Sequence, residues 1–416
     1  MELKTKYQYT YFIYPYMVDE TKYDKYILKL LKDNKCTFKI FQKERDLDVY
    51  NYFLPEIRKY YFPTFDLRGE ELKRFDRLSL DQKKKIISEQ SVACFTYDLG
   101  DEVQGKAGEE GGIFFRVESI EIICFNTGIC FFSLKTVIEN SNDFEDVLDF
   151  NYRFKDINSE FLKLKNFENI KLQTSTFNDI KDITEIINEV TGVYTKKLMK
   201  DFSSRFYTYG YVCLEGNHWN EMSPFENIEH DFLKYANVLP KDFNSDFNKS
   251  NLEQNLHIID KMKYYKTAVT ISSSNIICSG IDTYNYTKLL YDYENQYFYT
   301  YILALYKSLF LRKLDNEFRE YDKIIKLRKS FIKFTNILWN KDITIDDNGS
   351  LYFKTLNRSL GIDEAYNDIK NKYEIIYKDL NIEKNNNYYS IIVILLIFSL
   401  IFNTINIIFL MFFFGR

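Results

Sequence analysis

The stretch "GIFFRVESIEIICFNTGICFFSLKTVI" (112–138) carries two runs of β-branched and aromatic residues interrupted once, at Asn126-Thr127-Gly128. Runs of that composition read as strands, and a short Asn/Gly-containing break between them reads as a tight turn. Residues 112–125 and 128–138 are therefore expected to form a β-hairpin. Strand-like runs of the same kind recur outward from it, at 7–14, 36–42, 91–98, 205–214 and 266–281. Helical patterns fall between them at 20–33, 70–88, 176–191 and 225–237. The mixture, with antiparallel pairing at its centre, predicts an α+β body over residues 1–285.

After residue 285 the pattern changes. Residues 293–339 contain no Gly or Pro and carry apolar side chains at three- and four-residue spacing, which predicts one long helix or two with a slight break. A polar loop follows at 340–350. Ile362, Ile369 and Ile376 then lie seven apart, as do Tyr366, Tyr373 and Leu380. These are heptad positions, and residues 286–387 are read as long helices forming a hairpin or stalk. The same spacing suits an amphipathic helix packed on the 293–339 segment of its own chain.

The chain closes on "NNNYYSIIVILLIFSLIFNTINIIFLMFFFGR" (385–416), in which Ser390–Phe414 bears no charge. A helix rising ~1.5 Å per residue would carry those residues over roughly 37 Å, so 388–416 is expected to be a single C-terminal transmembrane helix. Ser399, Asn403 and Asn406 fall at i, i+4 and i+7 and share one helix face. That polar stripe is expected either to join neighbouring helices by hydrogen bonds or to line a pore. The N-terminus has no apolar core of signal-peptide type. The expected location is thus the inner or plasma membrane of a bacterium, with the bulk of the chain cytoplasmic. Six scattered cysteines without a C-x-x-C pair fit a reducing compartment.

A net charge of −4 gives no global attraction to nucleic acid, and none is expected to bind directly. The 18% aromatic content accompanies a general Tyr/Phe/Asn/Lys/Ile bias and says little about base stacking. His218 lies among Glu215, Glu221 and Glu229 but without metal-ligand spacing. The glycine-rich 98–112 is flanked by carboxylates and reads as a hairpin loop. No nucleophile, base and oxyanion donor come together, so the chain is read as a non-enzyme. Two stretches carry the Arg-plus-aromatic chemistry of a nucleotide pocket: 149–158, with Arg153, Phe154 and Lys155, and 203–211, with Arg205 and Tyr207. The basic cluster 323–333 reads more simply as a solvated face or one close to anionic headgroups.

The segments 297–318, 327–339 and 365–386, followed by the apolar tail, resemble in layout the CorA-type divalent cation channels. They are most similar to a divergent CorA-like branch associated with type III CRISPR defence. The Gly-Met-Asn signature of the transporters is absent, with "NTIN" (403–406) the nearest polar element, and no second span follows. The resemblance implies a homo-oligomer, such as a pentamer, in contact with a lipid bilayer. It also implies a nucleotide second messenger as ligand, a cyclic oligoadenylate or a SAM–AMP conjugate, that opens a membrane channel in antiviral defence. A divalent cation transporter, with a divalent cation as ligand, and a tail-anchored interaction protein are the alternatives.

Overall fold

The computed structural model describes residues 3–67, 69–100, 103–107, 113–157, 171–174, 179–193, 205–216, 224–243, 252–318, 324–339 and 342–414. The expected hairpin is its centre. Strands β5 (Ile113–Phe125) and β6 (Ile129–Ile138) pair antiparallel from Phe115↔Ile138 to Cys124↔Cys130. Gly128 closes the turn at φ +82°, and its N–H donates to Phe125 O at 2.9 Å. A Cβ there would lie 2.1 Å from Val18 O, so both the backbone angle and the close approach require glycine.

Around this hairpin runs a 12-stranded sheet in the order β10-β11-β12-β9-β1-β6-β5-β4-β7-β8, with β3 paired to β5 and to β2. The strands are β1 (Thr5–Met17), β2 (Cys36–Phe38), β3 (Val92–Tyr97), β4 (Val103–Ala107), β7 (Lys171–Thr174), β8 (Asp179–Asp182), β9 (Tyr207–Leu214), β10 (His257–Met262), β11 (Tyr265–Val269) and β12 (Ser273–Ser279). Among the described residues, only β9 and β12 pair in parallel. A register shift between Val117 and Ser119 lets β5 pair with β4 before it and β3 after it. The run 266–281, expected as one strand, is two. Thr270 and Ser273 turn the chain, with Thr270 N–H donating to Ser273 O at 2.8 Å.

Both faces of the sheet are buried, which is why its strands read as nearly continuous apolar runs. Along β1, Phe12, Tyr14 and Tyr16 enter one core while Tyr11 and Ile13 enter the other. The first core is covered by helices α1 (Tyr23–Lys32), α4 (Gly69–Asp76), α5 (Leu80–Glu89), α6 (Phe144–Phe154), α7 (Ile183–Thr191) and α8 (Glu229–Ala236). The helical pattern at 70–88 divides at Ser79, whose side chain caps α5 through the Gln82 N–H.

The second core is rich in tyrosine and lies under α2 (Leu47–Tyr52), α3 (Pro55–Tyr61) and α9 (Phe298–Glu317). Tyr209 and Tyr293 stack there at 4.3 Å between centroids, and each hydroxyl donates to the other's carbonyl, at 2.8 and 2.7 Å. Helix α9 is buried on every side, because α10 (Ile324–Leu338), α11 (Asp347–Ser359) and the start of α12 (Ile362–Phe414) cover its outer surface. The 293–339 segment is thus two helices, both layered on the sheet. Ile362, Tyr366 and Ile369 pack into the same core, so the first heptad positions are filled from within the chain.

The transmembrane helix expected at 388–416 is corrected, and with it the membrane location and the ion channel. Among the described residues, no helix is long and apolar enough to cross a membrane. Helix α12 runs from Ile362 to Phe414, and its first turns pack on the tyrosine-rich core through Ile362, Tyr366 and Ile369.

Candidate functional site: a cleft between the sheet and the outer helices

The tip of the central hairpin forms one wall of a cleft of about 210 Å³, and helices α9 and α10 form the other. Two helix faces supply most of its surface. Tyr306 and Phe310 recur at i and i+4 on α9, and Ser330, Lys333, Phe334 and Ile337 at i, i+3, i+4 and i+7 on α10. The aromatic members form a ladder. Phe125 stacks on Tyr306 at 3.7 Å and 6°, Tyr306 lies 5.7 Å from Phe310, and Phe310 lies 5.1 Å from Phe334.

The polar side is ordered by a buried cation. Lys313 is 8% exposed, and its ammonium donates to Glu20 Oε1 at 2.5 Å and to Thr127 O at 2.7 Å. That ion pair fixes the hairpin tip against α9 and removes Glu20 as a free negative charge. The Tyr306 hydroxyl meets those of Tyr60 and Thr127, each at 3.3 Å. Burial pushes the Tyr306 phenol up to about 12 and the Tyr60 phenol well above its ordinary range, so both remain protonated at neutral pH. Among the described residues, nothing pairs with the Asn126 amide, the Ser330 hydroxyl or the exposed Lys333 ammonium, all of which line the cleft. The cleft thus offers stacked rings, an amide with two donors and an acceptor, hydroxyls, and one uncompensated positive charge.

The residues expected to form a nucleotide pocket are arranged differently. The chain does bring 153–156 beside 205–206, with Phe206 N–H donating to Lys155 O at 2.8 Å. Arg205 Nε is 2.8 Å from Asp156 Oδ1, whose side chain is 2% exposed. The Lys155 ammonium donates to Val238 O at 2.8 Å. Phe154 is fully buried and stacks on Phe12 at 4.0 Å. Arg153 is half-buried in the last turn of α6. Tyr207 points to the opposite face of the sheet and joins the tyrosine-rich core, where burial raises its phenol. The Arg205–Asp156 pair and the Lys155–Val238 bond hold a corner of the fold together. Ser399 and Asn403 are exposed on α12, one turn apart. The side chain of Asn406, and His218, lie outside the described residues.

No group of three or more His, Cys, Asp and Glu suited to a metal occurs among the described residues. All six cysteines are buried thiols. The cleft residues missed in the sequence were visible there as the basic cluster 323–333, which contains Ser330 and Lys333. Comparison with family models, curated proteins and solved structures finds no match to this chain.

Proposed function

We propose that the chain is a nucleotide-responsive effector whose output is self-assembly through helix α12. The observation that carries this reading is the position of the cleft. Helix α10 turns Ser330, Lys333 and Phe334 toward it, while Phe331 on the same helix lies 5.2 Å from Tyr366 of α12. A ligand seated in the cleft therefore presses on the helix that holds α12. Its differential affinity for two positions of α10 would bias α12.

The chemistry favours a purine nucleotide. Aromatic faces accept a base, the Asn126 amide can read its edge, and Lys333 at the rim attracts phosphate. At about 210 Å³ the cleft lies below the ~300–1,000 Å³ of ordinary ligand pockets. It suits one nucleoside unit better than a whole cyclic oligonucleotide. The resemblance to CorA-like defence proteins supports a nucleotide messenger as ligand and antiviral defence as the setting. The output differs from that resemblance. Ile391 to Ile405 project exposed apolar side chains from every side of α12, including Leu395 at 62% and Phe402 at 68%. Further copies of the helix would cover them, and Ser399 and Asn403 would set the register by hydrogen bonding, as isolated polar residues do in helical bundles.

The experiment is titration of the purified full chain with AMP, SAM–AMP and cyclic oligoadenylates, read by calorimetry and by sedimentation. Binding that Lys333→Glu weakens, with a shift in assembly state, is expected. If none of these nucleotides binds, the proposal fails.

A further inference from the structure

Strands β9 and β12 each carry one cysteine, and their parallel register sets Cys213 directly across from Cys278. Both side chains enter the tyrosine-rich core, on the same face as Tyr211. Neighbouring strands lie ~4.8 Å apart, inside the ~4.4–6.8 Å Cα separation that a disulfide bridges. The two sulfurs lie within hydrogen-bonding reach of each other, and Cys278 Sγ is 3.3 Å from the Tyr211 hydroxyl.

The two thiols differ in their surroundings. Strand β1 bulges between Thr5 and Tyr7, and the residue in the bulge, Lys6, is exposed. Its stem reaches the same spot as the Cys213 sulfur. A Cβ on Gly280 would sit 3.3 Å from Lys6 Cδ and 3.7 Å from Cys213 Sγ. The Cys278 thiol and, beyond it, the Lys6 ammonium hold the Cys213 thiol below its ordinary value, against burial. Burial pushes the Cys278 thiol well up, so it stays protonated. A nucleophilic thiolate beside a cation, with a second thiol across from it, is the arrangement that oxidants attack selectively. Cys124 and Cys130 also face each other across two strands, but in the other core, where burial pushes the Cys124 thiol well up. That pair is a control within the same molecule.

We propose that Cys213 and Cys278 form an oxidation site for hydroperoxides, with Cys213 as the attacking thiol beside Lys6 and Cys278 as the resolving one. Both are buried, and a swing of the flexible Lys6 away from Gly280, which has no side chain of its own, opens the path to the Cys213 sulfur. The Cys213 thiolate attacks one oxygen of the hydroperoxide. The O–O bond breaks, the other oxygen leaves as an alcohol (water, for hydrogen peroxide) with the thiol's proton, and Cys213 becomes a sulfenic acid. The Cys278 sulfur then attacks the Cys213 sulfur, the S–O bond breaks, and hydroxide leaves with the Cys278 proton as water. Two thiols are oxidised to one disulfide joining β9 to β12, and one hydroperoxide is reduced.

The test treats the folded full chain with hydrogen peroxide and with tert-butyl hydroperoxide, counts thiols after denaturation, and maps cross-links by mass spectrometry without reduction. The thiol count should fall from six to four, with a single Cys213–Cys278 bridge. In Cys278→Ser the sulfenic acid has no partner, and dimedone should trap it at Cys213. Lys6→Met keeps the stem, removes the charge and should slow oxidation at least ~3-fold. Circular dichroism before and after treatment checks that folded protein is being read. A count that stays at six, at peroxide concentrations that oxidise glutathione, would overturn the proposal. So would a Cys124–Cys130 bridge formed equally fast, dimedone labelling spread over all the cysteines, or a rate that Lys6→Met leaves unchanged.

Discussion

Trp339, just past the end of α10, lies face to face with Tyr366 of α12, with 3.5 Å between ring centroids and 11° between planes. Phe331 flanks the same tyrosine. This stack joins the helix that lines the cleft to the helix with the exposed apolar end. Trp339→Ala should lower unfolding free energy by about 3 kcal/mol, in the range for large aromatic truncations. Hydrogen exchange should show amides 362–369 losing protection while the central strands keep theirs. Uniform loss across the sheet would contradict the placement of this stack.

Lys307 is buried on α9 at 2% exposure, with its ammonium 4.8 Å from the Phe353 ring centre and 5.5 Å from that of Trp339. Burial lowers its pKa to about 8, with Asp363 pulling the other way. The folded state therefore binds the proton more weakly than the unfolded state does. This lysine destabilises the fold below about pH 8, and the penalty disappears as pH rises toward the ordinary lysine value of ~10.4. Lys307→Met should raise stability at pH 7 by on the order of 3 kcal/mol. The gain over the parent should shrink between pH 8 and 10, as measured by urea unfolding at each pH.

Gly128→Ala adds a methyl group that would meet Val18 O at 2.1 Å, at a backbone angle of φ +82°. Strain and overlap together should cost about 2 kcal/mol or more. The substitution should also weaken ligand binding, because Thr127, its neighbour, lines the cleft. Thermal unfolding and nucleotide titration check the two effects separately.

The Arg205–Asp156 pair separates a structural role from a binding one. Arg205→Ala withdraws a partner from a carboxylate that is 2% exposed, and should cost about 2 kcal/mol, with the half-exposed arginine limiting the loss. In a double-mutant cycle with Asp156→Asn, the combined loss should be smaller than the sum of the singles. Nucleotide affinity should stay unchanged throughout. A selective loss of affinity in Arg205→Ala would return the ligand site to this corner.

The central hairpin was legible because local chemistry determines it: Asn126-Thr127-Gly128 between two apolar runs leaves few alternatives. Helix α9 was legible as a helix but not as a middle layer, since burial on all sides erases the amphipathic stripe that tells which face is inside. The cleft was harder still. Its ordering ion pair joins Lys313 to Glu20, 293 residues away in sequence, and no local pattern reports such a contact. In a chain so rich in Tyr, Phe and Lys, Arg153, Lys155 and Arg205 carried the Arg-plus-aromatic pattern, while the 323–333 cluster that holds Ser330 and Lys333 read as a solvated face. Which cations are already satisfied is a property of the tertiary structure. The tail was read as a membrane span from an uncharged run in the sequence, whereas among the described residues no helix is long and apolar enough to cross a membrane.

The first strand of the chain occupies the middle of the sheet, between β6 and β9. A ribosome adding about 5–20 residues per second needs on the order of 10–40 s to proceed from β1 to the end of β9. During that interval β1 has one edge open, and its apolar faces await α9, which is made later still. Long-range pairing of this kind folds slowly. The nascent chain is therefore a natural client for chaperones that hold extended segments, and shortening it from the C-terminus so that β9 and α9 are lost should leave β1 paired with β6 alone and prone to aggregate.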